Sequence, residues 1–262
     1  MSDGRVALVT GAARGIGAAT TRELARAGWS VVALDCAIDD PAIPYPLGTR
    51  SELDAVVAAA GPRCLGVVAD VRDVDALARA VILAETQFGG LDAAIACAAV
   101  IAGGASQWDI DPTAERAVLD VDLGGVLNLA RVAMPALLRR PAPRSGRFLA
   151  VASAAATRGL PQLAAYSAAK AGVAGLVRSL AVELADSGVT ANAVSPGSTD
   201  TAMLTESARL YGLDSVHEFT DHQPQRRLIQ PAEVAAVLAF LSGPLSSAVT
   251  GAVVPVDAGL SL

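Results

Sequence analysis

Lysine is nearly absent from this chain of 262 residues: Lys170 stands alone, and the other nineteen of its 20 basic side chains are arginine. A chain that uses arginine everywhere else points to a need for a primary ammonium at that one place. Aromatic residues are scarce too, at 3%, so the core has to pack small aliphatic side chains closely. Basic runs do not extend beyond Arg139-Arg140 and Arg226-Arg227, and the net charge is -6. These features exclude the electrostatic footprint of a nucleic-acid binder and offer an anionic membrane surface nothing to attract. Cys36, Cys64 and Cys97 have neither metal-ligand nor redox spacing, and their odd count suits a reducing compartment. The two histidines, His217 and His222, have no third ligand in sight, so no metal site is expected. No stretch approaches the roughly eighteen apolar residues of a membrane span. The first apolar run begins by Val6, too early for a charged leader and an apolar segment. A cytoplasmic soluble protein is expected.

What is present is 53% hydrophobic and arranged as short apolar runs alternating with helical patterns. Arg5–Thr10 reads as a buried strand, followed by the turn Gly11-Ala-Ala-Arg14-Gly15-Ile16-Gly17 and a helix to Gly28. Glycines there let the backbone approach a pyrophosphate, which then sits on the helix N-terminus. A second strand, Ser30–Leu34, delivers Asp35 eighteen residues after Gly17, where a carboxylate accepts both ribose hydroxyls of NAD and repels a 2′-phosphate. The stretch from Cys36 to Arg50 carries three prolines and reads as a long loop without regular structure, followed by a short helix capped by Ser51. Further strands are expected at Cys64 to Ala69, Leu91–Cys97, Gly146–Ser153, Val189–Val194 and Gly251–Val256. Helices are expected at Val74–Phe88, Thr113–Leu138 (with Asp122 and Asn128), around Tyr166 towards Asp186, and at Pro231–Ser242. This alternation predicts one α/β domain over residues 1–262, a Rossmann-type doubly wound parallel sheet with helices on both faces. The poorly patterned segment 198–227 is expected to form an apolar substrate lid.

The chemistry centres on Tyr166 and Lys170. Four residues apart on a helix, phenol and ammonium share a face, and the cation favours the phenolate. The pair reads as a general acid/base poised nearer neutral pH. Ser153, at the end of the run Phe148–Ala152, brings a hydroxyl to the mouth of the same site.

With the Thr10–Gly17 turn, Ser153, Tyr166-x-x-x-Lys170 and Pro196-Gly197 in order, the chain resembles the short-chain dehydrogenase/reductases over essentially its whole length. The resemblance implies hydride transfer between a nicotinamide and a secondary alcohol or ketone. Tyr166 would be the acid/base, Ser153 would hold the substrate oxygen, and Lys170 would bind the nicotinamide ribose and lower the tyrosine pKa. Gly11, Arg14, Gly15, Ile16, Gly17 and Asp35 would hold NAD, Asp70 and Val71 would flank its adenine, and Ala98, Pro196, Gly197, Thr199 and Thr201 would line its nicotinamide half. The insertion at 36–50 is similar to that of mycofactocin-associated, carveol-dehydrogenase-like members, in which the insertion covers the cofactor and electrons leave through mycofactocin. The family's usual homotetramer fits the helix around Tyr166, which is apolar on more than one side.

The sequence departs from the family at two positions. Asn-Ala-Gly after the fourth strand reads Cys97-Ala98-Ala99, and the catalytic-site asparagine reads Asp122. These departures motivate a competing reading as a catalytically impaired dinucleotide-binding or sensor protein. A further alternative, an NADP-dependent 3-oxoacyl reductase, is opposed by Asp35.

Overall fold

Val6–Thr10 is buried along its whole length and forms β1. In the computed structural model, which describes residues 4–262, β1 pairs in parallel with β2 (Ser30–Asp35) on one side and β4 (Ala93–Ala96) on the other. The first three residues of the expected 1–262 domain lie outside the described region. With β3 (Cys64–Val68), β5 (Arg147–Val151), β6 (Thr190–Pro196) and β7 (Val253–Val256), the sheet has seven parallel strands in the order β3-β2-β1-β4-β5-β6-β7. The central strands are apolar without alternation because helices cover both of their faces. One face packs beneath α3 (Val74–Phe88), α5 (Gly125–Arg139) and α6 (Ala164–Glu183), around Leu8, Leu34, Leu129 and Phe148. The other packs beneath α1 (Gly15–Arg26), α2 (Arg50–Ala60) and α8 (Pro231–Ser242), around Val9, Leu24, Val31 and Leu238.

The strand order reverses between β1 and β4, so a crevice opens at their carboxyl ends. Register places Thr10 beside both Leu34 and Ala96, which carries Gly11, Asp35 and Cys97 to the same rim. Small residues make this close packing possible. A Cβ on Gly125 would lie 2.5 Å from Val71, and one on Gly172 would lie 2.9 Å from Leu123.

Three expectations about local structure need correction. The helix expected over Thr113–Leu138 is α4 (Pro112–Leu119) and α5 joined by a π-helical turn, Asp120–Gly124. The wide turn accommodates an extra residue, and Asp122 within it is fully buried. The combined run Pro112–Arg139 has a most apolar window of mean hydropathy 1.4, long enough for a membrane span. Its face of Val126, Leu129, Ala133 and Leu137 is covered by the sheet and α3. The cap of α2 is Thr49 rather than Ser51: Thr49 and Glu52 exchange the two hydrogen bonds of a capping box, leaving Ser51 inside the helix. The segment 198–227 is more ordered than its pattern implies. It holds α7 (Ala202–Leu210), capped by Thr201, and a 3-10 segment, Val216–His222, capped by Ser215 with Glu218.

Candidate active site

The glycine turn is built for close approach. Gly11 and Gly15 sit at φ +66° and +57°, and a Cβ on Gly11 would lie 2.7 Å from Ala98. Arg14 is extended at the N-cap of α1 and offers no side-chain cap, and the first turn carries no acid. An uncapped N-terminus of this kind favours an anion. Thr10 Oγ1 accepts the N–H groups of Cys97 (3.2 Å) and Ala98 (3.3 Å), tying β1 to the loop after β4. Thr201 lies against Gly15, with its methyl group 3.3 Å from where a Cβ would be, so the N-termini of α1 and α7 meet at one point. Asp35 is 7% exposed; its Oδ2 accepts the Ala13 N–H at 3.0 Å and its Oδ1 the Ala37 N–H at 3.1 Å. Oδ1 also accepts the Cys36 thiol at 3.7 Å, and Oδ2 keeps a lone pair for a ribose hydroxyl.

The 36–49 loop is irregular, as its prolines require, and is held at several points. Arg14 donates to the Pro46 carbonyl (2.7 Å), Asp40 pairs with Arg72 (2.7 Å), and Arg72 also pairs with Asp70 (2.5 Å). The loop reaches further than the adenosine end. Tyr45 Oη accepts the Ile101 N–H at 3.1 Å, and Ile43 and Leu47 are buried in one cluster with Val100, Ile101 and Tyr166. Burial pushes the Tyr45 phenol well above its ordinary value, so it stays protonated.

At the nicotinamide end, Ser153 caps a 3-10 turn (Ala154–Ala156), its Oγ accepting the Ala155 N–H. Tyr166 and Lys170 are buried on α6, with Nζ 5.5 Å from the phenol ring centroid. Nζ donates to the Val151 carbonyl (3.2 Å) and lies 3.2 Å from Asp122 Oδ2. That contact is an ion pair whose angle falls short of a hydrogen bond. Asp122 Oδ1 accepts the Val100 N–H at 2.8 Å. The aspartate that stands in place of the family's asparagine therefore touches the lysine directly.

These contacts set the protonation states. Burial pushes the Asp122 carboxyl up, opposed by Lys170 and the Val100 N–H. Burial would lower the Lys170 ammonium, but Asp122, then Tyr166, hold it above its ordinary value. The expectation that Lys170 brings Tyr166 below its usual value is not met in the free protein. Burial raises the phenol, Lys170 lowers it, and Asp122 raises it again. Cys97 is pushed up to about 12, chiefly by burial, and is a thiol.

The site opens on one cavity of about 780 Å³. The residues named above as cofactor ligands line it, as do Ser153, Tyr166 and Lys170, while Asp122 lies behind Lys170. Asn128 holds the Val71 carbonyl (3.1 Å) rather than facing the cavity. The lid contributes Met203, Leu204, Tyr211, Leu213 and Phe219, the last packed edge-on to Tyr211 at 6.2 Å. Tyr45, Val100, Ile101 and Arg158 also line the cavity. They belong to no motif, and only the proline loop hinted at one of them.

A cavity at the switch point of a parallel sheet, with an anion-binding turn at one end and a phenol–ammonium pair at the other, defines a dinucleotide-dependent oxidoreductase. A family model described as enoyl-(acyl carrier protein) reductase matches residues 11–261. The (-)-trans-carveol dehydrogenase of Rhodococcus erythropolis is 35% identical, the match covering 99% of this chain and 98% of that protein. The cis-4-hydroxycyclohexanecarboxylate dehydrogenase of Sinomonas cyclohexanicum is 41% identical over 97% and 96%. The crystal structure of carveol dehydrogenase from Mycobacterium avium in complex with NAD superposes with a TM-score of 0.93 at 30% identity, covering 98% of this chain and 97% of that one. The chain belongs to the short-chain dehydrogenase/reductase family.

Proposed function

We propose that the protein transfers a hydride between a hydrophobic secondary alcohol or its ketone and a tightly held NAD, which is reoxidised through mycofactocin. The observation that carries the reading is the convergence of Ser153, Tyr166 and Lys170 on a cavity whose lid half is apolar. The cofactor is NAD. The residues present fit it, with an open helix N-terminus for the diphosphate, glycines where a Cβ would fill the cradle, and Asp35 for a ribose hydroxyl. Bound there, NAD would supply the acceptor for the hydride of the carbinol carbon.

Tyr166, as phenolate, accepts the hydroxyl proton while the Ser153 hydroxyl donates to the same substrate oxygen. In ketone reduction the two steps run in reverse. Lys170 supplies donors to the nicotinamide ribose and stabilises the phenolate, and Asp122 fixes its position. The cover over the cofactor supports the mycofactocin route, since a cofactor that does not leave must be reoxidised in place. Ala164, Ala168, Ala171 and Gly175 form an exposed small-residue stripe on α6, and this supports assembly as a homotetramer. Three free cysteines support a cytoplasmic setting. A single-turnover assay tests the function: cyclic secondary alcohols added to NAD-loaded protein should build reduced-nicotinamide absorbance.

Asp35→Ala should weaken NAD binding by about ten- to a hundredfold, the worth of charge-assisted hydrogen bonds of roughly 1.5–3 kcal/mol, and should narrow the preference over NADP. Titration of both nucleotides checks this, and wild-type protein that binds NADP as well as NAD contradicts it.

Asp122→Asn should move the pH profile of single-turnover alcohol oxidation towards acid. The carboxylate raises the Tyr166 phenol and offsets the Lys170 field. Removing that charge lowers the pH at which phenolate forms. An unchanged profile would show that Asp122 has no electrostatic hold on the phenol.

A further inference from the structure

We infer that Arg158, in a cavity that His222 also lines, makes the lid end a receptor for a carboxylate carried by the alcohol substrate. The inference rests on reading the cavity as an alcohol site, and it names the class of alcohol. The cavity is polarised. Its lining acids are Asp35, Asp39, Asp40 and Asp70, all from residues 35–70 at the adenosine end. The lid half is walled by apolar groups such as Leu160, Met203 and Phe219, and its charged or titratable lining groups beyond Tyr166 and Lys170 are Arg158, His222 and Tyr211, whose Oη donates to the Pro161 carbonyl. No acid lines that half.

The cavity is lined by three arginines. Arg72 is neutralised by Asp40 and Asp70, and Arg14 lies at the glycine turn with a hydrogen bond to Pro46. Arg158, like Arg14, has no ion pair among the described residues, but it stands beyond the Ser153 turn, and its Nη1 donates to the Leu260 carbonyl, an uncharged partner. That bond aims the side chain along the wall and leaves its remaining N–H groups for a ligand.

Two contacts tie Pro224 and Gln225, just after His222, to the chain just beyond its last strand. The Gln225 N–H donates to the Ala258 carbonyl (3.2 Å), and Gly259 is so close to Pro224 that a Cβ would lie 2.9 Å from its ring. The stretch just after His222 is thus clasped to the residues that anchor Arg158. Arg158 also follows Ser153 by five residues, and its own N–H donates to the Ala154 carbonyl at 3.0 Å, within the turn that Ser153 caps. The group that holds the reacting oxygen and the free guanidinium are therefore fixed to one short rigid segment. A compact ring with a hydroxyl at one end and a carboxylate at the other matches this layout; the guanidinium fork suits a carboxylate.

The test is calorimetric titration of NADH-loaded protein, which cannot oxidise an alcohol, with 3- and 4-hydroxycyclohexanecarboxylates and with their methyl esters. The acid of the favoured isomer should bind about tenfold more tightly than its ester, a margin modest because Arg158 is exposed, and added salt should shrink it. Arg158→Gln should bring the acid-to-ester ratio near one, and Arg158→Lys should retain part of it. Equal binding of acid and ester by wild-type protein, or an undiminished ratio in Arg158→Gln, overturns the inference. If that variant does not fold, the wild-type ratio and its salt dependence decide alone. Because binding is read without turnover, the result is separable from the function proposed above, which fails if no cyclic alcohol reduces the bound NAD.

Discussion

Tyr166→Phe should abolish measurable hydride transfer while NAD binding and the fold persist. Tyr166 is 8% exposed, and phenylalanine fills the same space with the same ring. The nearby Ser153 Oγ keeps the Ala155 N–H when the phenol oxygen is lost, so no buried partner is stranded. The fold should therefore lose no more than about 1 kcal/mol. Catalysis loses the group that takes the hydroxyl proton, a role worth about 10²–10⁴ in rate. Lys170→Arg should fail for another reason. The ammonium fits between the Val151 carbonyl, Asp122 and the phenol ring, and a planar fork has no room there. Single-turnover absorbance, with released nucleotide measured after denaturation, separates loss of chemistry from loss of cofactor. Near-normal turnover by Tyr166→Phe would move the proton transfer elsewhere.

Protein purified without added nucleotide should carry NAD, and external NAD should support little steady-state turnover. The 36–49 loop reaches both ends of the cavity: Arg14 holds Pro46, Asp40 holds Arg72, and Tyr45 takes the Ile101 N–H beyond β4. Prolines 41, 44 and 46 reduce the freedom the loop gives up on closing. A cover of this kind slows dissociation more than association, so release limits any exchange assay. Shortening residues 38–48 to a tight turn should restore exchange. It also removes the buried Ile43 and Leu47, each worth about 1.5–3 kcal/mol, so the shortened protein should melt earlier. Asp40→Asn, which cuts one tether and keeps the buried residues, should speed release to a lesser degree. Protein that emerges empty and turns over briskly with free NAD would sink the trapping idea.

Much of the fold was legible because its signals are local. Val74–Phe88 and Pro231–Ser242 have the expected ends, each marked by its own cap, an Asp73 side chain in one and a proline at the first helical position in the other. The glycine turn, Asp35, and the Ser153, Tyr166 and Lys170 set were legible for the same reason, and the fold brings them to one cavity. The π turn was not legible. It exists where Asp122 turns inward to meet Lys170 and the Val100 N–H, partners 48 and 22 residues away. Order in the lid was signalled by Thr201 and by Ser215 with Glu218, yet its weak apolar periodicity hid both helical segments. The reach of Tyr45 to Ile101 depends on tertiary contact alone.

The isolation of Lys170 has a practical side. It is the only side-chain primary amine in the chain, 2% exposed and held between Asp122 and the Val151 carbonyl. Acylating reagents that decorate ordinary proteins at many lysines find no accessible side chain here, and a charged ammonium is no nucleophile. Amine-reactive cross-linkers will therefore leave subunits unjoined through their side chains whatever the assembly, and an unlinked result says nothing about oligomeric state. The same scarcity makes acylation of Lys170 a clean signal. Its appearance records opening of the interior around the nicotinamide site, free of any background from surface lysines.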